Sequence, residues 1–89
     1  MRVATDRFEL RRAAGKALLV GLDAPRFTAH PVFELNDTGA YLWERLAHGD
    51  DPDAVAEGYA RAFGVGADCA REDLAGFLDS MRSIGAVRR

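Results

Sequence analysis

The sequence predicts an α+β fold in which a three-stranded antiparallel sheet is followed by three helices. Segments before residue 36 alternate polar and apolar residues or form short apolar runs, as strands do. Segments after residue 36 repeat apolar residues every three or four positions, as amphipathic helices do. The connections are short and no internal repeat is visible, so the sheet and helices are expected to share one core in a single domain over residues 1–89.

Two strands are predicted within the first 22 residues. The segment from Arg7 to Arg11 alternates polar and apolar residues, and the segment from Lys16 to Leu22 is mostly apolar. Between them, Ala13-Ala14-Gly15 has the composition of a turn. The two segments are therefore expected to form a hairpin.

The third strand is predicted from Phe27 to Leu35, after a turn at Asp23 to Arg26. Because Pro31 has no amide to donate, this strand is expected at an edge of the sheet. If the strand has no bulge, the position of Pro31 predicts that Phe33 offers its backbone groups to the open edge, as do Ala29 and Leu35. The apolar parity expected to face the core consists of Phe27, Ala29, Pro31, Phe33 and Leu35.

Three helices follow, and their ends are marked by capping residues. Asn36 or Asp37 is expected to cap the first helix, which extends to Gly49. Pro52 opens the second helix, and Gly85 closes the third and longest one. Their inner faces are expected to carry, in chain order, Leu42, Trp43, Leu46 and Ala47; Val55, Ala56, Tyr59, Ala62 and Phe63; and Ala70, Leu74, Phe77, Leu78, Met81 and Ile84.

The length of 89 residues limits the size of the core. A chain of this size buries only about 60–65% of the surface that it exposes when unfolded, which argues against a deep enzyme cleft. The longest apolar run, Ala17 to Val20, is far shorter than the ~20 residues of a membrane span, so no membrane partner is expected. The single cysteine, Cys69, cannot form an internal disulfide, and a cytoplasmic location is expected.

Residues that could support catalysis are scattered along the sequence. His30 and His48 lie in different predicted elements, and the sequence has no glycine-rich phosphate loop, nucleophile elbow or paired zinc ligands. His30 is expected to be an exposed strand residue, His48 a helix-end residue, and Cys69 a small packing residue in a helix. We therefore expect a protein that is not an enzyme and has no metal or cofactor.

Nucleic-acid binding is the main alternative, because strands with three helices also describe a winged-helix domain whose third helix would face DNA. Residues 1–30 carry six basic and three acidic groups (+3), whereas residues 31–89 carry six basic and eleven acidic groups (−5). The helical part is acidic and would repel phosphates. No nucleic-acid partner is expected, and a winged-helix DNA-binding regulator is kept as the alternative function.

The predicted edge strand favours peptide capture. An extended peptide could add to the open edge as a fourth strand through backbone hydrogen bonds. In a competing interpretation, Pro31 and Glu34 only protect the edge against aggregation. The same edge could also pair two copies of the protein into a homodimer.

The third strand runs into the first helix at Leu35-Asn36-Asp37-Thr38-Gly39-Ala40, which is followed by Leu42-Trp43 and Leu46. The pattern continues through residues 59–65 and 73–81 to Gly85. This ordered set resembles the RiPP recognition element family, which binds precursor peptides in ribosomal natural-product pathways, over roughly residues 7–87. PqqD-like peptide chaperones and stand-alone recognition proteins of lasso-peptide clusters look the most similar.

The resemblance implies a winged-helix-like fold with no catalysis of its own. It implies that the leader region of a precursor peptide lies along the third strand, from Thr28 to Leu35, in the groove beside the third helix. The other partner would be a maturation enzyme such as a radical SAM enzyme, a cyclase or a leader peptidase. The peptide-binding residues carried over are Thr28, Ala29, His30, Val32, Phe33 and Glu34 on the strand, and Arg71, Leu74, Phe77, Leu78 and Met81 on the helix.

Overall fold

The computed structural model describes residues 2–22 and 32–88. The described chain contains a three-stranded antiparallel sheet, three helices and a small two-stranded sheet. The strands are β1 (Arg2–Val3), β2 (Phe8–Ala13), β3 (Lys16–Gly21), β4 (Val32–Leu35) and β5 (Val87–Arg88). The helices are α1 (Asp37–His48), α2 (Pro52–Phe63) and α3 (Ala67–Ser83).

The predicted hairpin is confirmed, with a tighter turn than expected. β2 pairs with β3 from Phe8 opposite Gly21 to Ala13 opposite Lys16, so Ala13 belongs to the strand. Only Ala14 and Gly15 form the turn, with φ values of 53° and 77°. Positive φ at both positions is the geometry of a two-residue turn whose twist matches that of paired strands.

The larger sheet has the order β2-β3-β4, which places β4 at an edge of the described sheet, as predicted. Leu19 lies opposite Phe33 and Ala17 lies opposite Leu35 in the register of β3 and β4. The earlier part of the predicted third strand, residues 27–31 with Pro31, and the predicted turn at residues 23–26 lie outside the described residues.

The sheet formed by β1 and β5 was not predicted. The two strands pair antiparallel, and beside them the Ala4 amide donates to the Ala86 carbonyl over 2.7 Å. Ala4 and Ala86 are fully buried, so this sheet is part of the core. Strands of two residues are too short to show any hydrophobic period, so pattern analysis cannot detect them.

The helices begin and end close to the predicted residues. The Asn36 side-chain oxygen accepts a hydrogen bond from the Gly39 amide over 2.8 Å, which caps α1. Asp51 caps α2 with Pro52 at its first position. Gly49 and Gly85, at or just after the ends of α1 and α3, adopt φ values of 100° and 80°, which glycine adopts without steric strain. No helix in the described residues is long and apolar enough to cross a membrane.

The core consists of two clusters that Phe77 connects, since this half-buried ring packs against both. The first lies between the sheets and the helices and includes Leu19, Trp43 and Met81. The second lies among the three helices and is built from Leu42, Val55, Ala56, Tyr59, Ala70 and Leu74.

The predicted inner faces of α1 and α2 include residues near the helix ends that are exposed in the structure. Phe63 is 37% exposed, and Ala62 and Ala47 are exposed as well. Phe63 packs edge-to-face on Tyr41, with ring centroids 5.5 Å apart, and covers the surface of the second cluster instead of entering it. The prediction that these residues are core was wrong, because helical spacing shows which face of a helix is apolar but not how deeply each residue of that face is buried.

Candidate functional site

An open groove with a volume of 880 Å³ runs between β4 and α3. Its apolar floor includes Phe33 and Leu35 from the strand and Phe77 and Met81 from the helix. Its polar border includes Glu72 and Asp73 on α3, together with Ser80, Asn36 and Thr38. A groove with apolar floor and polar border, beside an edge strand, suits an extended chain with alternating side chains.

The direction of the backbone groups in β4 follows from the hairpin. The Leu22 amide donates to the Arg7 carbonyl over 2.7 Å, so these two residues form a hydrogen-bonded pair just beyond the end of the β2–β3 ladder. Hydrogen-bonded and non-hydrogen-bonded pairs alternate along an antiparallel ladder. Leu18 and Val20 therefore direct their backbone groups toward β2, whereas Ala17 and Leu19 direct theirs toward β4.

The open edge of β4 is therefore offered by Val32 and Glu34. Phe33 lies opposite Leu19, and Leu35 lies opposite Ala17, so the backbone groups of Phe33 and Leu35 bind β3. The prediction that Phe33 offers its backbone to the edge was wrong. That prediction assumed that the backbone of Pro31 points to the open edge. The register counted from the hairpin turn instead directs the backbone groups of Phe33 toward β3.

The side chains of β4 divide between two faces. Phe33 and Leu35 are half-buried and pack against the first core cluster. Val32 is 54% exposed on the opposite face. Glu34 shares that face, and its carboxylate lies 3.2 Å from the Lys16 ammonium group. Of the strand residues implied by the resemblance, Phe33 and Glu34 line the groove, and Thr28, Ala29 and His30 lie outside the described residues.

The helix residues implied by the resemblance divide in a similar way. Phe77 and Met81 line the groove. Leu74 and Leu78 pack in or against the second core cluster instead. Arg71 faces away from the groove, because it forms an ion pair with Asp68 and lines a separate depression between α2 and α3.

Five residues of α3 that line the groove were missed: Glu72, Asp73, Gly76, Ser80 and Ser83. Sequence reasoning assigned the groove to the apolar stripe of the helix, but much of that stripe is needed for the core. Asp73 lies four residues before Phe77, and Ser80 and Met81 lie three and four residues after it; all three line the groove. The sequence therefore contains this spacing, and it becomes evident when Phe77 is taken as the centre of the helix face that lines the groove.

Tyr59 holds one end of the groove. Its hydroxyl group is part-buried and donates to the Asp73 carboxylate over 2.7 Å. This hydrogen bond and burial raise the pKa of Tyr59 above its ordinary value of 10.0, and an interaction with Thr38 opposes part of the increase. Tyr59 therefore stays protonated at neutral pH and fixes Asp73 beside the start of α1.

Of the residues considered for catalysis, His48 and Cys69 lie in different helices, and His30 lies outside the described residues. His48 is the exposed last residue of α1, as predicted, and its Nδ1 atom lies 3.1 Å from the Asp50 carboxylate. Cys69 is exposed, so the prediction that it is a packing residue of the helix was wrong. Within residues 2–22 and 32–88, no group of three or more histidine, cysteine, aspartate or glutamate side chains could hold a metal ion.

The fold and groove define an α+β protein with an open edge strand beside a helix. The family model of Coenzyme PQQ synthesis protein D (PqqD) matches residues 19–87 of the chain. The chain therefore belongs to the PqqD family, and the family predicted from the sequence is confirmed.

A solved structure, TbiB1 in complex with the TbiA(beta) leader peptide, has a similar fold. Its TM-score is 0.80 at 19% sequence identity, and the match covers 97% of this chain and 93% of that one. At this identity the likeness concerns the fold alone, and it confirms the predicted sheet followed by three helices. Among curated proteins, none matches the chain.

Proposed function

We propose that this protein binds the leader region of a ribosomally synthesised precursor peptide and presents the peptide to a modifying enzyme or leader peptidase. The observation that carries the proposal is the open backbone edge of β4 beside the groove. Family membership and a solved relative of the same fold in complex with a leader peptide support it. The protein would act as a peptide carrier without catalysis of its own.

The bound leader would form a strand next to β4. Val32 and Glu34 each offer one amide and one carbonyl to it, which allows about four hydrogen bonds at roughly 0.5–1.5 kcal/mol each. Alternate leader side chains, those opposite Phe33 and Leu35, would enter the groove and contact Phe77 and Met81. Two or three buried apolar side chains would add roughly 1.5–3 kcal/mol each before ordering costs.

Such a sum corresponds to a Kd near micromolar, or about 8 kcal/mol of binding free energy. A carrier that must release its peptide to an enzyme needs an affinity of this order. Residues 28–30 stay part of the proposed peptide-binding strand. Arg71, Leu74 and Leu78 lie on the α2 side of α3, so any contribution from them would be through the position of the helix.

Titration of the isotope-labelled protein with the leader encoded by a short reading frame beside the gene would test the proposal. We expect the largest amide shifts at Val32 to Leu35 and on the groove face of α3. Shifts that avoid both elements would contradict the proposed site. DNA binding in a gel-shift assay, with a steep dependence on salt, would favour the winged-helix regulator instead.

A further inference from the structure

The acidic residues of α3 fall into two groups with different surroundings. Asp68 and Asp79 each form an ion pair with an arginine three residues later on the same helix, and the Asp79 pair has an N–O distance of 2.9 Å. Glu72 and Asp73, which line the groove, have no basic partner in the described part of the chain. Among the described residues, the charge of the groove-facing carboxylates is therefore not compensated by an ion pair.

The other described residues that line the groove supply no positive charge to them. The described residues that line the groove include Glu34, Glu72 and Asp73 but neither lysine, arginine nor histidine. Lys16, the cation paired with Glu34, belongs to β3 and is not among the lining residues. The groove thus combines an apolar floor with a negative end, which complements a peptide that carries both apolar and basic side chains.

Asp73 is also held in a defined position. It accepts a hydrogen bond from the neutral Tyr59 hydroxyl through Oδ2, and Tyr59 is 3% exposed. A carboxylate has about four acceptor positions on its two oxygens, so an ammonium or guanidinium group can bind as well. A fixed carboxylate loses less conformational entropy on binding a cation than a mobile one does.

We propose that the leader carries a lysine or arginine that binds Glu72 and Asp73, and that this residue precedes the apolar residues of the leader in the groove. The proposal rests on the proposed function. Asp73, Phe77 and Met81 are one helical turn apart, which is about 6 Å per step along α3. Two residues of an extended strand span nearly the same length, about 6.6 Å.

The order of the leader residues follows from the direction of β4. The strand ends at Leu35, next to the start of α1, and Tyr59 places Asp73 at that end of the groove. A guest strand that adds antiparallel to β4, which is the slightly more stable arrangement, begins at the same end. We therefore expect the leader segment, read from its N-terminus, to follow the pattern basic-x-apolar-x-apolar, where x is any residue.

A displayed library of short random peptides, selected against the full chain, would test this inference. We expect enrichment of the basic-x-apolar-x-apolar pattern with the wild-type protein and loss of the basic preference with the double variant E72Q/D73N. The side-chain amide oxygen introduced by D73N can still accept the Tyr59 hydrogen bond, so the fold should be retained. The matched control D68N/D79N removes the same charge from α3 away from the groove and should keep the preference.

One selected peptide would then be compared with its lysine-to-glutamine form by fluorescence anisotropy. Replacing the lysine of the peptide by glutamine should weaken its binding to the wild-type protein about fivefold. The same replacement should leave its binding to E72Q/D73N unchanged. Peptides that bind β4 and the groove without any basic preference would overturn the inference and leave the proposed function intact. An equal loss in D68N/D79N would also overturn it, and the absence of any binding peptide would count against both proposals.

Discussion

Tyr59 is the residue through which α2 fixes α3 at the groove. Its ring belongs to the second core cluster, and its hydroxyl group donates to Asp73 over 2.7 Å. The hydrogen bond needs the phenol proton, which is the main reason for the raised pKa of Tyr59. Below pH 10 the folded and unfolded states both keep this proton, and the hydrogen bond contributes in full to the free energy of unfolding.

We expect Tyr59→Phe to lower the free energy of unfolding at pH 7 by about 1 kcal/mol, because the hydrogen bond is lost while the ring remains. As pH rises above 10, the unfolded tyrosine ionises before the folded one, so the wild-type protein loses this contribution and the two curves approach each other. Urea unfolding from pH 7 to 11 measures the difference. Tyr41→Phe removes a hydroxyl with no hydrogen bond in the described residues and should change stability little.

Gly76 leaves an opening in the wall of the groove. A Cβ atom built there meets nothing within 4 Å, and the residue lies inside α3. Gly76→Ala should therefore raise the free energy of unfolding by about 0.5–1 kcal/mol through helix propensity. Gly76→Leu should gain similar stability but weaken leader binding severalfold, since its side chain would occupy space meant for the peptide.

Thermal unfolding and peptide titration of the two Gly76 variants separate these effects. Ala75→Leu serves as the control, because Ala75 is exposed and does not line the groove. Equal peptide affinity for Gly76→Leu and Ala75→Leu would show that the groove does not hold the peptide.

β4 is the strand to which the proposed leader would add, and the backbone groups of its alternate residues point to opposite sides of the strand. The Glu34 amide points to the open edge, so Glu34→Pro should leave the β3–β4 ladder intact while it removes one donor for the leader. We expect leader affinity to fall about fivefold to tenfold, corresponding to one hydrogen bond of about 1 kcal/mol. Isothermal titration calorimetry with Glu34→Ala, which keeps the amide but not the charge, isolates the backbone effect.

Phe33→Pro is expected to act differently from Glu34→Pro, and that difference would support the same direction of the β4 backbone groups. Phe33→Pro removes an amide that faces β3, so it should destabilise the fold itself. If Glu34→Pro unfolds the protein and Phe33→Pro does not, the backbone groups of β4 have the opposite parity and the open edge belongs to Phe33 and Leu35.

Elements with local signals were predictable, and elements that depend on distant pairing were not. The Asn36 cap and the glycine at residue 49 set the ends of α1, and both act through neighbouring residues alone. β1 and β5 exist only because their two ends meet, and neither is long enough to have a pattern. The parity of β4 was missed because it depends on the pairing with β3 and on the hairpin turn at Ala14 and Gly15, which lies much earlier in the sequence.

The candidate groove was partly predictable for a related reason. An apolar stripe on α3 was evident, but the sequence does not reveal how much of it the thin core uses. The structure assigns Leu74 to the core and Phe77 to both core and groove. The sequence does not show that a polar residue such as Asp73 lines the groove, because this depends on how the neighbouring helices pack.

At the scale of the whole molecule, the two edges of the larger sheet differ. The edge of β4 adjoins the open groove. On the other edge, the first outward amide of β2, that of Phe8, already donates to the Ala4 carbonyl over 3.0 Å. The Arg12 side chain near the end of that strand forms an ion pair with Glu44 of α1.

We expect any self-association without a peptide to use two β4 edges related by twofold symmetry. Because the leader needs the same edge, its addition should convert dimers to monomers at equal protein concentration. Sedimentation velocity with and without the leader measures this exchange. A dimer that persists with saturating leader would place the contact on another surface.

The symmetry of such a contact also limits how far the association can go. Open-ended fibres need a heterologous contact, in which one face of each copy joins a different face of the next. A twofold contact between two β4 edges uses the same surface on both copies, so it closes after two copies. Pairing of this kind would cover the strand edge at high concentration without leaving a template for further copies.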